Sequence, residues 1–347
     1  MPEYWQLKKL KQRRWRERII SNVLRLRTQL RRKIPERTVT ETLLIATWNI
    51  RDFGATRFNP RKRAKEALFY IAEIISSFDI IAIQEVNRNM KQLEELMDIL
   101  SYPWTYICTD VTEGSGGNQE RMAFIYDRSK VRFRNIAGEI VLPKTHLIDR
   151  DKQFARTPFL ASFQSGWFRF NLCTVHLYYG SEGSVGLSRR IAEIKGITKI
   201  LARKAKQDDV SYIVLGDFNI IGPKDKTMEA LLTNGFEIPD SIWDMPSTPF
   251  SEKHYDQIAF HSEEGKVKFG EKGGIFNFYK SVFRDDEAET FIKKYRRDFE
   301  KYGDPQDEER MKDYYLKRWR TWQMSDHLPM WIELEIDFTD DYLNSLK

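Results

Sequence analysis

Eight polar residues of this chain stand where strand-like apolar runs begin or end: Asn49, Glu85, His176, Asp217, Asn219, Asp256, Asp326 and His327. LLIATWNIRDFG runs from Leu43 to Gly54, and IIAIQE ends at Glu85. LCTVH ends at His176, IVLGDFN carries Asp217 and Asn219, and SDHLPMWIELEI brings Asp326 and His327. Carboxylates and carboxamides are the hard oxygen donors that Mg2+ or Mn2+ takes in preference to soft ones. An imidazole beside a phosphate can donate a hydrogen bond or a proton, and a carboxylate partner fixes its tautomer. Phosphate-ester hydrolysis needs a cation to neutralise charge, an activated water, and donors around the transferring phosphoryl group. The residue types at these edges match that requirement. Each alone has an ordinary explanation, since an Asp after a Gly is commonly a turn residue. Five such edges in one chain point to convergence on one metal-bound phosphate. The motifs G-x-x-x-x-G-K-[ST], H-E-x-x-H and G-x-S-x-G are absent, which leaves P-loop NTPase, zinc-protease and serine-hydrolase chemistry without their motifs.

The elements that must position these residues follow from periodicity. Ile19, Val23, Leu26 and Leu30 form one apolar stripe, with Arg25, Arg27, Arg31, Arg32 and Lys33 on the other faces, so residues 1–38 read as a basic amphipathic helix or arm. Such an arm suits DNA, an anionic membrane surface or a protein partner, and equally a helix docked on its own domain. Pro35 ends the helix, and a domain over residues 40–347 follows. Asn59-Pro60 reads as a helix start, with Ala64, Leu68, Ile71 and Ile75 on the buried face. A strand over Ile80–Ile83 and a helix with Met90, Leu93, Met97 and Leu100 on one face come next. From Trp104 to Leu177 the chain reads as strands, interrupted by a glycine-rich loop at 113–118. Helix returns over Ser188–Ala205 and in TMEALLTNG. Strands recur at Tyr212–Leu215, Tyr255–Phe260, Val267–Phe269 and Met330–Ile336. The pattern predicts an α+β, layered architecture: a two-sheet, mostly antiparallel β-sandwich flanked by helices. Residues 284–322 hold 11 basic, 11 acidic and eight aromatic residues; Ile292, Tyr295, Phe299 and Tyr302 are helically spaced, and so are Met311, Tyr315, Trp319 and Trp322. They read as a helical hairpin inserted just before Asp326, with Gly303-Asp304-Pro305 as its turn.

Charge and composition narrow the setting. Residues 1–40 hold 13 Lys/Arg against three acids, while the whole chain is only +6, so the remainder is net −4. The basic character therefore belongs to the N-terminal segment, and overall charge does not make the domain a nucleic-acid binder. No run approaches the ~18 apolar residues of a membrane span, and the N-terminal region has no continuous apolar signal core. Cys108 and Cys173 lie in apolar strand-like runs and read as free buried thiols, which fits a reducing, cytoplasmic setting.

The segments IATWNIRDFG, DIIAIQEV, ERMAFIYD, FARTPF, TVHL, VLGDFN, YDQIAF and SDHLPM occur in this order. The ordered set resembles the endonuclease/exonuclease/phosphatase superfamily, most of all its deoxyribonuclease I branch, over roughly Leu43 to Ile336. The resemblance implies a DNase I-like fold and metal-dependent hydrolysis of phosphate esters. It implies Mg2+, or Mn2+, on Asn49, Glu85, Asp217 and Asp326. Glu120–His176 and Asp256–His327 are the implied acid–histidine dyads, and Asp217 and Asn219 would contact water and phosphate. Arg51 and Arg156 would hold substrate phosphates. The implied activity is a DNA endonuclease with little sequence preference. The alternatives are an enzyme for inositol phosphates or phospholipid head groups, and a binding protein on the same fold. Asn87 and Asn118 stand where the branch places its minor-groove Arg and Tyr, and no cysteine follows GDFN.

Overall fold

The computed structural model of the chain describes residues 2–54, 63–111, 119–148, 151–180, 183–208, 210–262, 266–302 and 307–347. Two sheets form the centre. The first contains β1 (Thr42–Phe53), β2 (Ile80–Asn87), β3 (Trp104–Cys108), β4 (Glu120–Asp127), β10 (Lys268–Ile275) and β11 (Met330–Glu335), in the order β10-β11-β1-β2-β4-β3. The second contains β5 (Arg132–Glu139), β6 (Phe159–Ser165), β7 (Phe168–His176), β8 (Ser211–Asp217) and β9 (Asp256–His261), in sequence order. Among the described residues only the β1–β2 and β7–β8 pairings are parallel; the rest are antiparallel. The expected sandwich is the fold.

Period-two alternation explains why this sheet is covered on both sides. Leu43 and Ile45 of β1, with Ile80 and Ala82 of β2, enter the core between the sheets with Phe124, Phe163, Leu172 and Ile258. Their neighbours Leu44, Ala46, Trp48, Ile50, Ile81 and Ile83 face the opposite way, into a second core under helices. Those helices are α1 (Arg13–Lys33), α2 (Lys65–Ile75) and α3 (Lys91–Leu100), joined by the inserted ones described below. On the other sheet lie α4 (Ser184–Asp208) and α5 (Lys226–Leu231), with Ile194, Ile197, Leu201 and Met228 buried in the first core.

Residues 284–322 are helical but segmented. The first run breaks at Tyr295 into α6 (Ala288–Lys294) and α7 (Arg296–Tyr302). The second comprises α8 (Glu308–Tyr314), a wide turn over Tyr315–Trp319, and α9 (Arg320–Gln323). Phe291, Phe299, Met311, Tyr315 and Trp319 are buried together, whereas Trp322 leaves that stripe and is half-buried. The wide turn adds a residue to the helical repeat and rotates the last turn away from the expected face. A final helix, α10 (Thr339–Ser345), follows β11.

Helix α1 is docked. Ile19, Val23, Leu26 and Leu30 are buried in the second core. Two arginines expected on the outer faces turn inward: Arg25 Nε donates to Ser281 O at 2.8 Å and Arg27 Nη1 to Glu73 at 2.8 Å. Arg18 pairs with Glu66 and lies 3.2 Å from Glu287. Because Leu26 is fully enclosed, Leu26→Ala is expected to cost about 2 to 5 kcal/mol by lost burial plus a cavity. Urea unfolding monitored by Trp fluorescence measures it.

Several boundaries differ from the sequence reading. The loop at 113–118, the Asn59-Pro60 helix start and the 303–305 turn lie outside the described residues, and α2 begins at Lys65. The buried face of α3 is Leu93, Leu96, Ile99 and Leu100, with Met90 and Met97 only half-buried. β10 extends to Ile275 through glycines that carry no strand signal. Gly273 is required there, since a Cβ would sit 2.7 Å from both Ile242 and Ser241. Cys173 is buried and Cys108 half-exposed, both as free thiols. Among the described residues no helix is long and apolar enough to cross a membrane.

Candidate active site

One end of the sandwich collects the polar residues that terminate the apolar rows. In the second sheet they are in register: His176 of β7 is paired with Asp217 of β8, and Asp217 with Asp256 of β9. Gly216, just before Asp217, has φ +134 and lies so close to β7 that a Cβ would sit 2.1 Å from Val175 O. In the first sheet the inward row Leu43, Ile45, Thr47 ends in Asn49. Glu85 should by alternation face the helices with Ile81 and Ile83. A register shift between Ile83 and Val86, with Glu85 at φ +61, redirects it to the site. Gln84 ties the sheets together by donating to Thr47 Oγ1 and Thr174 Oγ1 at 3.0 and 2.9 Å.

Asp217 is the meeting point. Asn49 Nδ2 donates to its Oδ2 at 3.0 Å, and the same oxygen lies 3.5 Å from His176 Nε2 and 3.8 Å from His327 Nε2. Behind the imidazoles, His176 Nδ1 is 3.0 Å from Glu120 Oε2, and His327 Nδ1 is 2.7 Å from Asp256 Oδ2. Burial opposes charge on His327, but Asp256 and Asp217 outweigh it and hold the imidazole well above its ordinary value. At His176 burial and Arg156 work against the charge, yet Glu120 and Asp217 raise it. Glu120 is held down at about 2: burial alone would raise it, and His176 and Arg156 together prevail. Both imidazoles are therefore arranged to be donors toward whatever stands before Asp217.

Asn219, at φ +56, bonds its backbone N–H to Asp217 Oδ1 at 2.9 Å and its Nδ2 to Leu177 O at 2.9 Å. Arg156 places Nε and Nη2 on Glu120 at 2.8 and 3.4 Å, so it orders that carboxylate as well as lending charge. Asp326 is set against Arg51, 3.3 Å from Nη1, with its side chain 43 % exposed. Its charge also reaches Glu85.

Asn49 and Glu85 could hold a divalent cation. Asn49 Oδ1 is buried without a hydrogen-bond partner. Its Nδ2 also donates to Glu85 Oε1 at 2.9 Å. The Glu85 carboxyl is raised, first by burial and then by the Glu120 charge, a conflict that a bound cation relieves. Among the described residues no three His, Cys, Asp or Glu close into a cage. A partial oxygen shell suits Mg2+, which retains several waters.

Four supporting residues carried no signal of their own in the sequence. Ser325 Oγ donates to Asn49 O at 2.6 Å and accepts from the backbone of Arg51 and His327 at 3.2 and 3.0 Å. Fully buried Arg190 of α4 donates to Asn219 O at 2.9 Å and to the carbonyls of Tyr178 and Tyr179. Glu193, one turn on, accepts from the N–H groups of Ala155 and Tyr178 at 3.0 Å each. Arg63 donates to the carbonyls of Arg51 and Met324 at 2.6 and 2.8 Å. Ser325 stands beside Asp326 and His327, and that adjacency was the only available hint.

The profile of the Endonuclease/Exonuclease/phosphatase family matches residues 46–256. No curated protein sequence matches the chain. Solved structures of the same fold include the human Nocturnin catalytic domain with bound sulfate, at TM-score 0.53 and 13% identity over 85% of this chain and 95% of that one. Another is an endonuclease/exonuclease/phosphatase family protein from Bacteroides thetaiotaomicron, at TM-score 0.53 and 16% identity over 86% and 97%. A third is D. rerio TDP2 complexed with single strand DNA product, at TM-score 0.53 and 14% identity over 84% and 98%. With the profile covering more than half of its length, and the fold and the ordered strand-edge residues in place, this chain belongs to the endonuclease/exonuclease/phosphatase family.

Proposed function

We propose that the protein is a Mg2+-dependent phosphodiesterase of nucleic acid, a DNA endonuclease with little sequence preference. The observation that carries this reading is the convergence of two carboxylate-backed imidazoles on Asp217 Oδ2, at 3.5 and 3.8 Å, beside Asn49 and Glu85. When bound, the cation neutralises phosphate charge and polarises the phosphorus centre. Asp217, an acceptor placed between two donors, takes the proton of the attacking water as its oxygen bonds to phosphorus. His176 and His327 donate to the phosphate oxygens as charge builds on them. The bond to the leaving oxygen breaks, and an imidazolium returns a proton to that oxygen. Asn219 orients Asp217, and Arg51 and Arg156 supply positive charge for substrate phosphates. These contacts need no base readout, in keeping with weak sequence preference.

Purified protein with Mg2+ is expected to nick supercoiled plasmid, with loss of cleavage in EDTA. Single-stranded DNA, abasic duplex, RNA and inositol polyphosphates complete the panel. Phosphate release from inositol polyphosphates with every nucleic acid intact would replace this reading by the phosphatase one. The Bacteroides mannosyl-6-phosphatase shares the fold, at TM-score 0.50 and 16% identity. Against that alternative, Tyr255-Asp256-Gln257 stands here in place of the Trp-Cys-Asp-Arg type segment of the inositol-phosphate arm.

A further inference from the structure

The last turn of the inserted helices, residues 321–325, surrounds Arg51. Thr321 Oγ1 accepts from Arg51 Nη1 at 2.5 Å, and the guanidinium carbon lies 3.9 Å from the centre of the Trp322 ring. Ser325 Oγ accepts from the Arg51 backbone N–H at 3.2 Å. Arg63 donates to Arg51 O from one nitrogen and to the carbonyls of Gln323 and Met324 from another. The Arg51 side chain keeps 15 % of its surface exposed. The side chain is held by Thr321 and Trp322, and the backbone by Ser325 and Arg63; apart from Arg63 these lie outside the 46–256 family match.

We propose that Trp322 and Thr321 are positioning residues for Arg51, so that the insertion sets the guanidinium edge that grips a substrate phosphate. The inference rests on the reading of Arg51 as a phosphate ligand. An arginine binds phosphate best when its planar fork is aimed in advance. A long side chain that must be ordered on binding loses affinity through entropy. The guanidinium carbon sits over the ring, and Thr321 and Asp326 both stand at Nη1, which leaves Nε and Nη2 to the substrate. Neither Trp322 nor Thr321 touches the groups around Asp217. Their removal should thus act on binding and leave the chemical step alone.

The test is a double-mutant cycle on DNA cleavage with Mg2+. Trp322→Ala is expected to raise KM by roughly tenfold, with kcat changed by less than about twofold. Trp322→Phe is expected to restore most of the affinity. Thr321→Val is expected to raise KM by about threefold, with Thr321→Ser restoring it. In an Arg51→Met background, Trp322→Ala should have no further effect, because residues that act through one another are not additive. Full additivity with Arg51→Met, or a fall in kcat at unchanged KM, overturns the proposal. So does a drop in Tm without a change in KM. If the protein turns over only inositol polyphosphates, the nucleic-acid reading fails by itself, and the same cycle on that substrate decides whether the insertion positions Arg51.

Discussion

His327→Ala is expected to lower kcat for plasmid nicking by on the order of a thousandfold, because it removes a positioned proton donor from the transition state. KM should change little, since the imidazole points at Asp217 and not at distant substrate phosphates. The substitution also strands Asp256, whose carboxylate is fully buried and 2.7 Å from the missing ring nitrogen. An uncompensated buried charge is destabilising by about 3 to 5 kcal/mol, so Tm should fall as well. Assays well below the lowered Tm separate the two effects. Adding Asp256→Asn to His327→Ala removes the stranded charge and should recover stability without recovering activity. A double variant with restored Tm and restored cleavage would remove His327 from the chemistry.

Glu85→Gln is the second large effect, and it runs in opposite directions for activity and stability. Glu85 is half-buried near Glu120, Asp326 and Asp52, all of which raise its carboxyl after desolvation has done so. Removing the charge relieves that repulsion in the metal-free protein, so Tm without metal should rise. A ligand that favours the folded state stabilises it by mass action, about 2.7 kcal/mol at a hundredfold excess over Kd. The wild type should therefore gain Tm on Mg2+ addition, and Glu85→Gln should gain far less. Cleavage should fall by about a hundredfold or more at fixed Mg2+, since even residues behind a metal ligand cost 10–100-fold when lost. Differential scanning calorimetry with and without Mg2+ reads the stability arm independently of turnover. An unchanged Mg2+ shift in the variant would move the cation away from Glu85.

Much of the fold, and the placing of the candidate site residues at strand edges, could be read from the sequence for one physical reason. A buried strand row that ends in a polar residue has few uses besides presenting it at an edge, and Asn49, His176 and Asp217 each end such a row. Glu85 was visible by type but not by aim: alternation sends it to the helices, and only the bulge at β2 turns it back. Arg190 was hidden because an arginine in an amphipathic helix, here next to Arg189, reads as a surface residue. Here it is fully buried and donates to three loop carbonyls. The docking of α1 needed the partner surface. Its stripe was legible, but the acids that draw Arg18 and Arg27 inward belong to α2. Trp322 fits the helical repeat on paper, and the wide turn before it breaks that repeat.

The order in which the chain builds its sheets bears on when it becomes active. β1 to β4 start the first sheet, β5 to β9 make the whole of the second, and only then do β10 and β11 return to complete the first. β11 pairs with β1, the earliest strand, along Thr42–Thr47. That closure brings Ser325 onto Asn49 and His327 onto Asp256. A chain still emerging from the ribosome has Asn49, Glu85 and Asp217 in hand but lacks the last imidazole and its supporting serine. The candidate site is thus complete only with the final strand, and a chain that stops before that point carries an incomplete one. For the nucleic-acid hydrolase proposed above, the topology would act as a safety catch during synthesis.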